Sequence, residues 1–323
     1  MVFSVRTRKR SQQSSVSVLE ANAVWDLLTA TYSAIERSEI WDAFAHDIDL
    51  AARLKAFRTH LLDIARTLEN LSKQYSLKGP DGPRRGMNSS TSSDAIHDEQ
   101  IAVWLLTDNQ ERLELFFTSA VNSIANDHLR AVLMAEIRWQ VEYLDGLIKY
   151  VKLKGWIGQP PFYPNVPKDT NEKIDTSEAY HIWDRLTFVY DFTGLVNMFA
   201  TLAYDGDLQA ILNLQLDSLK GQARILEREA LKFGLPLPKP PAKVPAQFEN
   251  KEWLDDNFIF RRLLNLAHGS SLIHIAAFRE SMTNDRVRGI FRNMLLDALS
   301  AGDRLIVYGK AKGWLNEPPM YRL

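Results

Sequence analysis

The chain has 323 residues, of which 46% are hydrophobic and 24% charged, a composition typical of a globular protein large enough for two cores. Its formal charge of -1 excludes the overall basic excess by which a protein attracts nucleic acid or an anionic membrane. Without cysteine it can form neither a disulfide nor a thiolate metal site, and we expect a cytoplasmic protein.

The predicted elements begin with a basic tail at residues 1–17. Its cluster Arg6–Arg10 is followed by serine and glutamine rather than by the apolar stretch of a signal peptide. So short a cluster without interleaved aromatic rings is a weak nucleic-acid signal, and no window approaches the roughly 18 apolar residues of a membrane span. We therefore expect a disordered tail, no membrane partner and no nucleic-acid partner.

From Glu20 on, the sequence repeats itself without a gap at a constant offset, beginning with Glu20 on Glu178. The matches are clustered, as where Lys154-Gly155-Trp156 falls on Lys312-Gly313-Trp314. Self-similarity at a fixed period is typical of duplicated structural units. We interpret the chain as two copies of one unit that arose by internal duplication.

Each copy carries four segments of helix length. Apolar residues recur in steps of three and four, as from Ile137 to Val151, which is the spacing of one helix face. Asp49 and Asn126 stand where the second and fourth helices should begin, because their short side chains can cap free amides. Gly155, after a lysine-bearing turn, should end the fourth helix. The predicted helices lie near residues 18–45, 49–76, 97–124 and 126–154, with copies near 176–203, 207–234, 252–282 and 284–312.

The connection lengths predict the topology. The first and third links are short and can only join antiparallel neighbours, whereas the second link of roughly 20 residues can reach about 66 Å and so run the length of a bundle. Short, long, short is the pattern of a ferritin-like bundle. We predict an all-α fold of two tandem ferritin-like four-helix bundles: residues 18–163 with a flexible crossover at 77–96, a linker at 164–175, and residues 176–323 with a proline-rich crossover at 235–251.

Two motifs carry a family resemblance: Phe233-Gly234-Leu235-Pro236-Leu237-Pro238, and a Lys-Gly-Trp-x-x-x-Pro-Pro-x-Tyr motif that closes each copy. From about residue 20 the chain resembles the tandem ferritin-like family Domain of Unknown Function 3231 of spore-forming bacteria, which is related to spore coat F-type proteins. The resemblance implies the fold and a sporulation setting, without an established reaction. The family usually has a histidine where this chain has Gln222 and Ile64, which argues against an inherited metal site.

A di-metal site in such a bundle needs inward carboxylates from two helices and a Glu-x-x-His pair from each of the other two. Glu178 and His181 form such a pair, but near a helix start, where glutamate simply complements the helix dipole. The best remaining set, in the first copy, supports iron or manganese binding as the alternative to a cofactor-free protein. It consists of Glu36, His60, Asp63, Glu114 and Glu136. The second copy has Gly194, Ser218, Gly221, Leu272 and Met294 at these positions.

Polar residues shared by the two copies are candidates for structural pairs. Asp145 and its copy Asp303 lie late in the fourth helix of each copy. A core-facing acid there needs a partner, because an unpaired buried charge costs several kcal/mol. We expect one structural ion pair in each bundle, with Arg66 or Arg130 as the partner of Asp145 and Arg224 or Arg288 as the partner of Asp303.

Each copy closes with a glycine–tryptophan pair followed by Pro-Pro-x-Tyr. This segment has the form that aromatic-lined grooves recognise as a polyproline helix. Because both segments follow a helix end at the same offset, we favour a structural role, with the Trp and Tyr rings folded over the end of the bundle. The residues of this helix-end motif are Gly155, Trp156, Tyr163, Gly313, Trp314 and Tyr321.

Three functions are open from the sequence, and no residue is assigned as catalytic. The favoured one is a non-catalytic structural or interaction protein, forming a homo-oligomer or binding another protein and associated with sporulation, because no ligand set occurs in both copies. The alternative is a ferritin-like redox or storage protein with iron or manganese in the first bundle only. The third is a small-molecule binder that uses the aromatic interior around Trp104, Phe116, Phe117 and Trp139. Fold alone does not decide among them.

Overall fold

The computed structural model describes residues 15–83, 96–158, 160–239 and 255–321, and all regular secondary structure in these ranges is helical. None of these helices is long and apolar enough to cross a bilayer. Most of the predicted tail and of the two predicted crossovers lies outside the described ranges. The helices are α1 (Val18–Phe44), α2 (Ile48–Gln74), α3 (Asp98–Asn122), α4 (Asp127–Lys154), α5 (Thr176–Leu202), α6 (Gly206–Lys232), α7 (Asp256–Glu280) and α8 (Asp285–Lys312).

The helices form two compact units, and the all-α prediction is confirmed. Unit 1 consists of Met1–Ile157 with Asn316–Leu323 and contains α1 to α4, and unit 2 consists of Gly158–Leu315 and contains α5 to α8. Each helix of unit 2 begins and ends at the residues that the sequence repeat aligns with the bounds of its counterpart in unit 1. The division differs from the predicted domains at the two Pro-Pro-x-Tyr segments, because each of them lies in the unit of the other copy.

Local sequence sets the helix starts. Ser17 begins α1 with a capping box, in which its side chain accepts the N–H of Glu20 at 3.2 Å and the Glu20 carboxylate accepts the N–H of Ser17 at 2.8 Å. The cap of α2 is Asp47, whose carboxylate accepts the N–H of Leu50 at 2.9 Å. The prediction of Asp49 as this cap was wrong, because Asp49 lies in the first turn of the helix.

The fourth helix of each unit has the predicted ends. Asn126 caps α4 by accepting the N–H of Leu129 at 2.9 Å. Gly155 ends α4 in the left-handed conformation with φ 72°, and Gly313 ends α8 in the same way with φ 71°. A Cβ atom is strained at such φ values, so glycine is the residue that these turns require.

Each unit is built from two helical hairpins. In unit 1, α1 packs along α2, α3 packs along α4, and α1 also contacts α3. Unit 2 has the same arrangement of α5 to α8. The second and fourth helices of a unit approach each other less closely. The side chains between those two helices therefore decide whether the gap is filled or open.

Candidate functional site

In unit 1 the gap between α2 and α4 is filled by a column of stacked rings. The centroids of His60 and Trp139 lie 3.3 Å apart, those of Trp139 and Tyr143 4.9 Å, and those of Tyr143 and Phe57 5.5 Å. The Tyr143 hydroxyl donates to the carbonyl oxygen of Arg53 at 3.1 Å, and burial raises its pKa. The column leaves α2 and α4 joined by continuous side-chain packing.

A buried polar cluster lies beside this column. The Nε2 atom of His60 is 2.7 Å from Oε2 of Glu136, and the Gln140 side-chain amide donates to Oε1 of Glu136 at 2.8 Å. The buried Arg112 guanidinium lies 3.9 Å from the same oxygen, and burial lowers the pKa of Arg112. The charge of Glu136 is thus balanced by a cation of the protein itself, as a buried carboxylate requires.

The five predicted metal ligands are spread over the first bundle and do not gather into one cluster. Within the part of the chain that the structure describes, no three His, Asp or Glu side chains lie close enough together to hold a metal ion. His60 and Glu136 are brought together, but Asp63 is 63% exposed and pairs with Arg66 at 3.0 Å. The other two, Glu36 and Glu114, are half-buried on α1 and α3.

In unit 2 the corresponding gap is an open cleft of about 620 Å³ between α6 and α8. Ser270 and His274 of α7, both buried, form its deep end. Exposed residues of α6 and α8, including Ser218, Asp297 and Arg304, form its mouth. The lining combines hydroxyl and amide groups with apolar walls, which is typical of small-molecule sites.

Smaller side chains at equivalent positions explain the cleft. Residues that the sequence repeat aligns occupy the same places on corresponding helices of the two units. At six of these places a large side chain in unit 1 is replaced by a smaller one that lines the cleft in unit 2. These replacements remove the ring column, the Arg112 guanidinium and the Gln140 amide. They are Phe57 to Gln215, His60 to Ser218, Arg112 to Ser270, Trp139 to Asp297, Gln140 to Ala298 and Tyr143 to Ala301.

His274 at the deep end stands where unit 1 has Phe116. Its Nε2 atom lies 3.3 Å from the Ser270 hydroxyl, and its Nδ1 atom has no hydrogen-bond partner among the residues described. Burial, together with the charge of Arg185, lowers the pKa of His274 to about 3. The imidazole is therefore neutral at pH 7, with one nitrogen donating and the other accepting.

Arg185 of α5 stands where unit 1 has Leu27 and is 2% exposed. One of its nitrogens, Nη2, donates to Asp184 at 2.9 Å, whereas Nε and Nη1 meet no acceptor in the described ranges. Its guanidinium carbon lies 4.9 Å from the centroid of the Phe188 ring. The guanidinium is close enough for its charge to contribute to the lowered pKa of His274 at the deep end of the cleft.

The Glu178-x-x-His181 pair serves the scaffold. Both residues are buried; the Glu178 carboxylate accepts the N–H of Asn284 at 2.6 Å, and His181 lies 2.9 Å from Glu280. Burial raises the pKa of Glu178 to about 7. Glu20 makes the equivalent bond in unit 1. These carboxylates tie the first helix of each unit to the turn before its fourth helix.

Arg66 and Arg224 bind partners other than Asp145 and Asp303, the aspartates with which they were predicted to pair. The buried Asp145 carboxylate accepts from Lys149 at 2.7 Å, whereas Arg66 pairs with Asp63. Arg224 is exposed and donates to the carbonyl oxygen of Lys220 at 3.2 Å. The other two candidates, Arg130 and Arg288, each pair with an aspartate three residues earlier, while Asp303 is half-buried.

The tryptophans of the helix-end motif fold back onto their own helix. In unit 1 the N–H of Trp156 donates to the carbonyl oxygen of Val151 at 2.9 Å. The Trp156 ring packs edge-on against Tyr150, with the ring centroids 5.7 Å apart. Trp314 packs against Tyr308 in the same way at 5.6 Å. The two tyrosines of the motif, Tyr163 and Tyr321, instead take part in backbone pairing with the segments before α5 and α1.

The sequence was compared with known families and structures. It matches the model of the family described as Protein of unknown function (DUF3231) over residues 165–322. The match confirms the predicted resemblance for these residues, and they include the whole cleft.

The comparison with curated proteins gave no match, and the comparison with solved structures gave a weak one. No curated protein matches the chain significantly. A structural match is the crystal structure, at 1.54 Å, of a candidate spore coat protein from Bacillus halodurans C-125, with 18% sequence identity and a TM-score of 0.44. The match covers 46% of this chain and 96% of that one.

The cleft was not predicted from the sequence. The prediction rested on residues with reactive or metal-binding side chains, whereas the cleft arises where large side chains are replaced by smaller ones. The deep-end residue His274 and the buried Arg185, whose charge acts on it, belong to no motif, and their counterparts Phe116 and Leu27 are apolar. The signal that would have found the site was a loss of side-chain volume at equivalent positions of α6 and α8. Ala301 in place of Tyr143 is the plainest instance.

Proposed function

We propose that the protein is a non-catalytic binding protein in which unit 2 holds a small amphipathic molecule and unit 1 is a closed scaffold. The observation that carries this proposal is the open cleft of about 620 Å³ at the place that stacked rings fill in unit 1. Ligand sites in proteins commonly enclose about 300–1,000 Å³. The sequence placed a small-molecule site in the aromatic interior of unit 1, where Phe116 and Phe117 are fully buried.

The cleft suits binding better than catalysis. Its buried titratable group, His274, has a pKa lowered to about 3. A general base works best with a pKa near the ambient pH, so this imidazole is a poor proton acceptor in a reaction. It is nevertheless a polar group in the lining of the cleft, and its buried Nδ1 atom has no hydrogen-bond partner among the described residues.

The deep end favours a ligand that accepts hydrogen bonds. The positive charge of Arg185 attracts a carbonyl or carboxylate oxygen and repels an ammonium group. Leu214, Leu219 and Leu305 supply apolar wall between this end and solvent. We therefore expect a molecule with an oxygen-bearing head at His274 and a short apolar body along α6 and α8.

The test is titration calorimetry of the full chain with three ligands of equal chain length: hexanoate, hexanamide and hexylammonium. We expect hexanoate and hexanamide to bind and hexylammonium to bind at least tenfold more weakly. A chain with Asp297→Trp and Ala301→Tyr, which restores the residues of unit 1, should lose binding because the two rings fill the cleft.

A matched control distinguishes the effect of filling the cleft from a general loss of folding. Tyr204→His also copies the residue of unit 1, but at a position 57% exposed and outside the lining of the cleft, and it should leave binding unchanged. Helicity measured by circular dichroism verifies that each variant folds. Equal binding of all three ligands, or binding that survives in the filled variant, would contradict the proposal.

A structural or interaction role is the second candidate, favoured by hydrogen-bonded networks placed identically in both units. In unit 1, Asp47 accepts from Tyr150 at 2.9 Å and from Lys154 at 2.5 Å. In unit 2, Asp205 makes the same bonds with the equivalent residues of α8, Tyr308 and Lys312. Such networks fix the ends of a bundle without offering chemistry, as a scaffold requires.

The setting that we propose is the cytoplasm of a spore-forming cell. It is supported by the resemblance of the Lys-Gly-Trp-x-x-x-Pro-Pro-x-Tyr motif and by the family match of residues 165–322. Immunoblots of growing and sporulating cultures of the source organism test it. We expect the protein to accumulate after sporulation begins, and equal amounts throughout growth would argue for a general role.

A further inference from the structure

Each unit contains a short antiparallel contact between two extended segments, here called the tail and the head. The tails are residues 160–163 in unit 2 and residues 318–321 in unit 1. The heads are residues 174–176 and 16–18, at the starts of α5 and α1. Every donor and acceptor of one contact has its equivalent in the other at the same offset that relates Glu20 to Glu178.

The contact in unit 2 consists of two backbone hydrogen bonds. The N–H of Thr176 donates to the carbonyl oxygen of Pro161, and the N–H of Tyr163 donates to that of Ile174, both at 2.9 Å. Pro161 supplies the acceptor, and neither proline of the tail has an N–H that requires a partner, which suits a strand paired along one edge. The tail thus adds one short strand to the head.

The contact in unit 1 repeats this pattern. The N–H of Val18 donates to the carbonyl oxygen of Pro319 at 2.9 Å, and the N–H of Tyr321 donates to that of Val16 at 2.8 Å. The pairing is antiparallel, as in unit 2. The tails share two prolines and a tyrosine, whereas the heads share no residue, and the two pairs form the same backbone interaction.

The two contacts differ in how tail and head are connected. In unit 2 the bridged residues Phe162 and Asp175 are close in sequence, so the linker between them keeps the tail beside its own head. In unit 1 the bridged residues Ser17 and Met320 come from opposite ends of the chain. Here the tail is held by its non-covalent contacts and by a connection that passes through all the helices.

The head of unit 1 is a buried segment that is held in place independently of the tail. The tail pairs with it from the outside of the bundle. Val16 is 1% and Ser17 0% exposed, and the Asn126 side chain holds the preceding residue by donating to the carbonyl oxygen of Ser15 at 2.9 Å. In the tail, Pro319 is exposed and Tyr321 only half-buried. A rigid acceptor edge with a peripheral strand is the arrangement in which strands exchange between molecules.

We propose that the head of unit 1 takes the tail of a second copy of this chain, so that copies join tail to head. Binding adds a strand to the head edge, and main-chain hydrogen bonds supply the recognition. Closure within one chain competes through an effective concentration that depends on the length and stiffness of the chain connecting tail and head. Exchange therefore becomes populated where copies are crowded to that level, and reciprocal exchange closes a dimer.

Single cysteines test the exchange, because the natural chain has none. A Ser17→Cys chain and a Met320→Cys chain of different mass are mixed at a series of concentrations up to about 1 mM and oxidised. Opposed residues of an antiparallel pair have Cβ atoms about 4.5–5.5 Å apart, close to the separation of a disulfide. We expect a disulfide-linked heterodimer whose yield rises with concentration.

Two matched chains make the result decisive. Tyr321→Pro added to the Met320→Cys chain removes the N–H that bonds Val16 and should lower the yield several-fold. Phe162→Cys and Asp175→Cys chains, mixed in the same way, should give no heterodimer, because the short linker between these two positions holds that tail at its own head.

A double variant with Ser17→Cys and Met320→Cys in one chain shows whether the pair can oxidise. If it closes within the chain while the mixed single variants give no heterodimer at any concentration, the proposal is overturned. Equal heterodimer yields from the two mixed pairs would also overturn it, because they would show unspecific cross-linking.

Discussion

Tyr143 of α4 and Ala301 of α8 occupy equivalent positions in the two units, and they separate a filled interior from an open one. The Tyr143 ring stacks between Trp139 and Phe57 in unit 1, whereas Ala301 lines the cleft of unit 2. The helices around them have equivalent bounds in the two units. Loss of the rings at such positions therefore distinguishes the filled interior of unit 1 from the candidate binding site of unit 2.

Tyr143→Ala should destabilise unit 1 by about 2 kcal/mol, because removal of this half-buried, stacked ring costs part of its transfer free energy and leaves a gap in the column. Urea unfolding followed by circular dichroism measures the change. Leu214→Ala, at a cleft position 70% exposed, is the control and should change the free energy of unfolding by less than about 0.5 kcal/mol. Equal effects of the two substitutions would mean that the ring column contributes no packing.

His274→Phe, which copies Phe116 of unit 1, should reduce the loss of stability in acid. The pKa of His274 is lowered from 6.5 to about 3, so between these values the unfolded chain binds a proton that the folded chain does not. The free energy of unfolding therefore falls as the pH drops below 6.5, by up to about 1.4 kcal/mol per pH unit. The variant lacks this contribution.

The measurement is urea unfolding of both chains between pH 7 and pH 4. Glu178 acts in the opposite direction, because its pKa is raised to about 7 and the folded chain binds its proton first as the pH falls. That contribution is common to both chains and cancels in the difference between them. Parallel pH profiles would show that His274 is protonated in the folded protein.

The fold was predictable because it depends on patterns along the sequence. The steps of three and four from Ile137 to Val151 predicted α4, and Gly155 marked its end correctly. The cap at Asp47 was missed in favour of Asp49, because both are aspartates at a helix start and only the hydrogen bond to Leu50 distinguishes them.

The candidate site was not predictable in the same way, because it depends on which side chains meet across the bundle. Glu136 looked like a metal ligand, but the nearby cation is the guanidinium of Arg112 on α3. Arg185 and His274 are ordinary residues in the sequence and become informative only through burial and missing partners. Burial of a polar group is a tertiary property that helical periodicity does not encode.

Glu20→Ala should destabilise unit 1 by about 2 kcal/mol. Its buried carboxylate accepts from the backbone N–H of Asn126 at 2.7 Å and from the hydroxyl of Ser123 at 3.0 Å, and the alanine leaves these donors without an acceptor. Urea unfolding measures the loss. Glu99→Ala, at an exposed glutamate in the first turn of α3, should cost less than about 0.5 kcal/mol. A similar loss at both sites would assign the effect to helix charge rather than to the buried bonds.

The full chain, purified without added metal and without a histidine tag, should carry far less than one iron or manganese ion. The Glu136 carboxylate already has His60 at 2.7 Å, Gln140 at 2.8 Å and the guanidinium of Arg112 at 3.9 Å. A metal ion there would have to displace the guanidinium and overcome repulsion between two cations in a core of low dielectric. Elemental analysis by mass spectrometry checks the expectation. Stoichiometric metal that disappears in a His60→Ala chain would show instead that Arg112 moves aside and that unit 1 is a metal site.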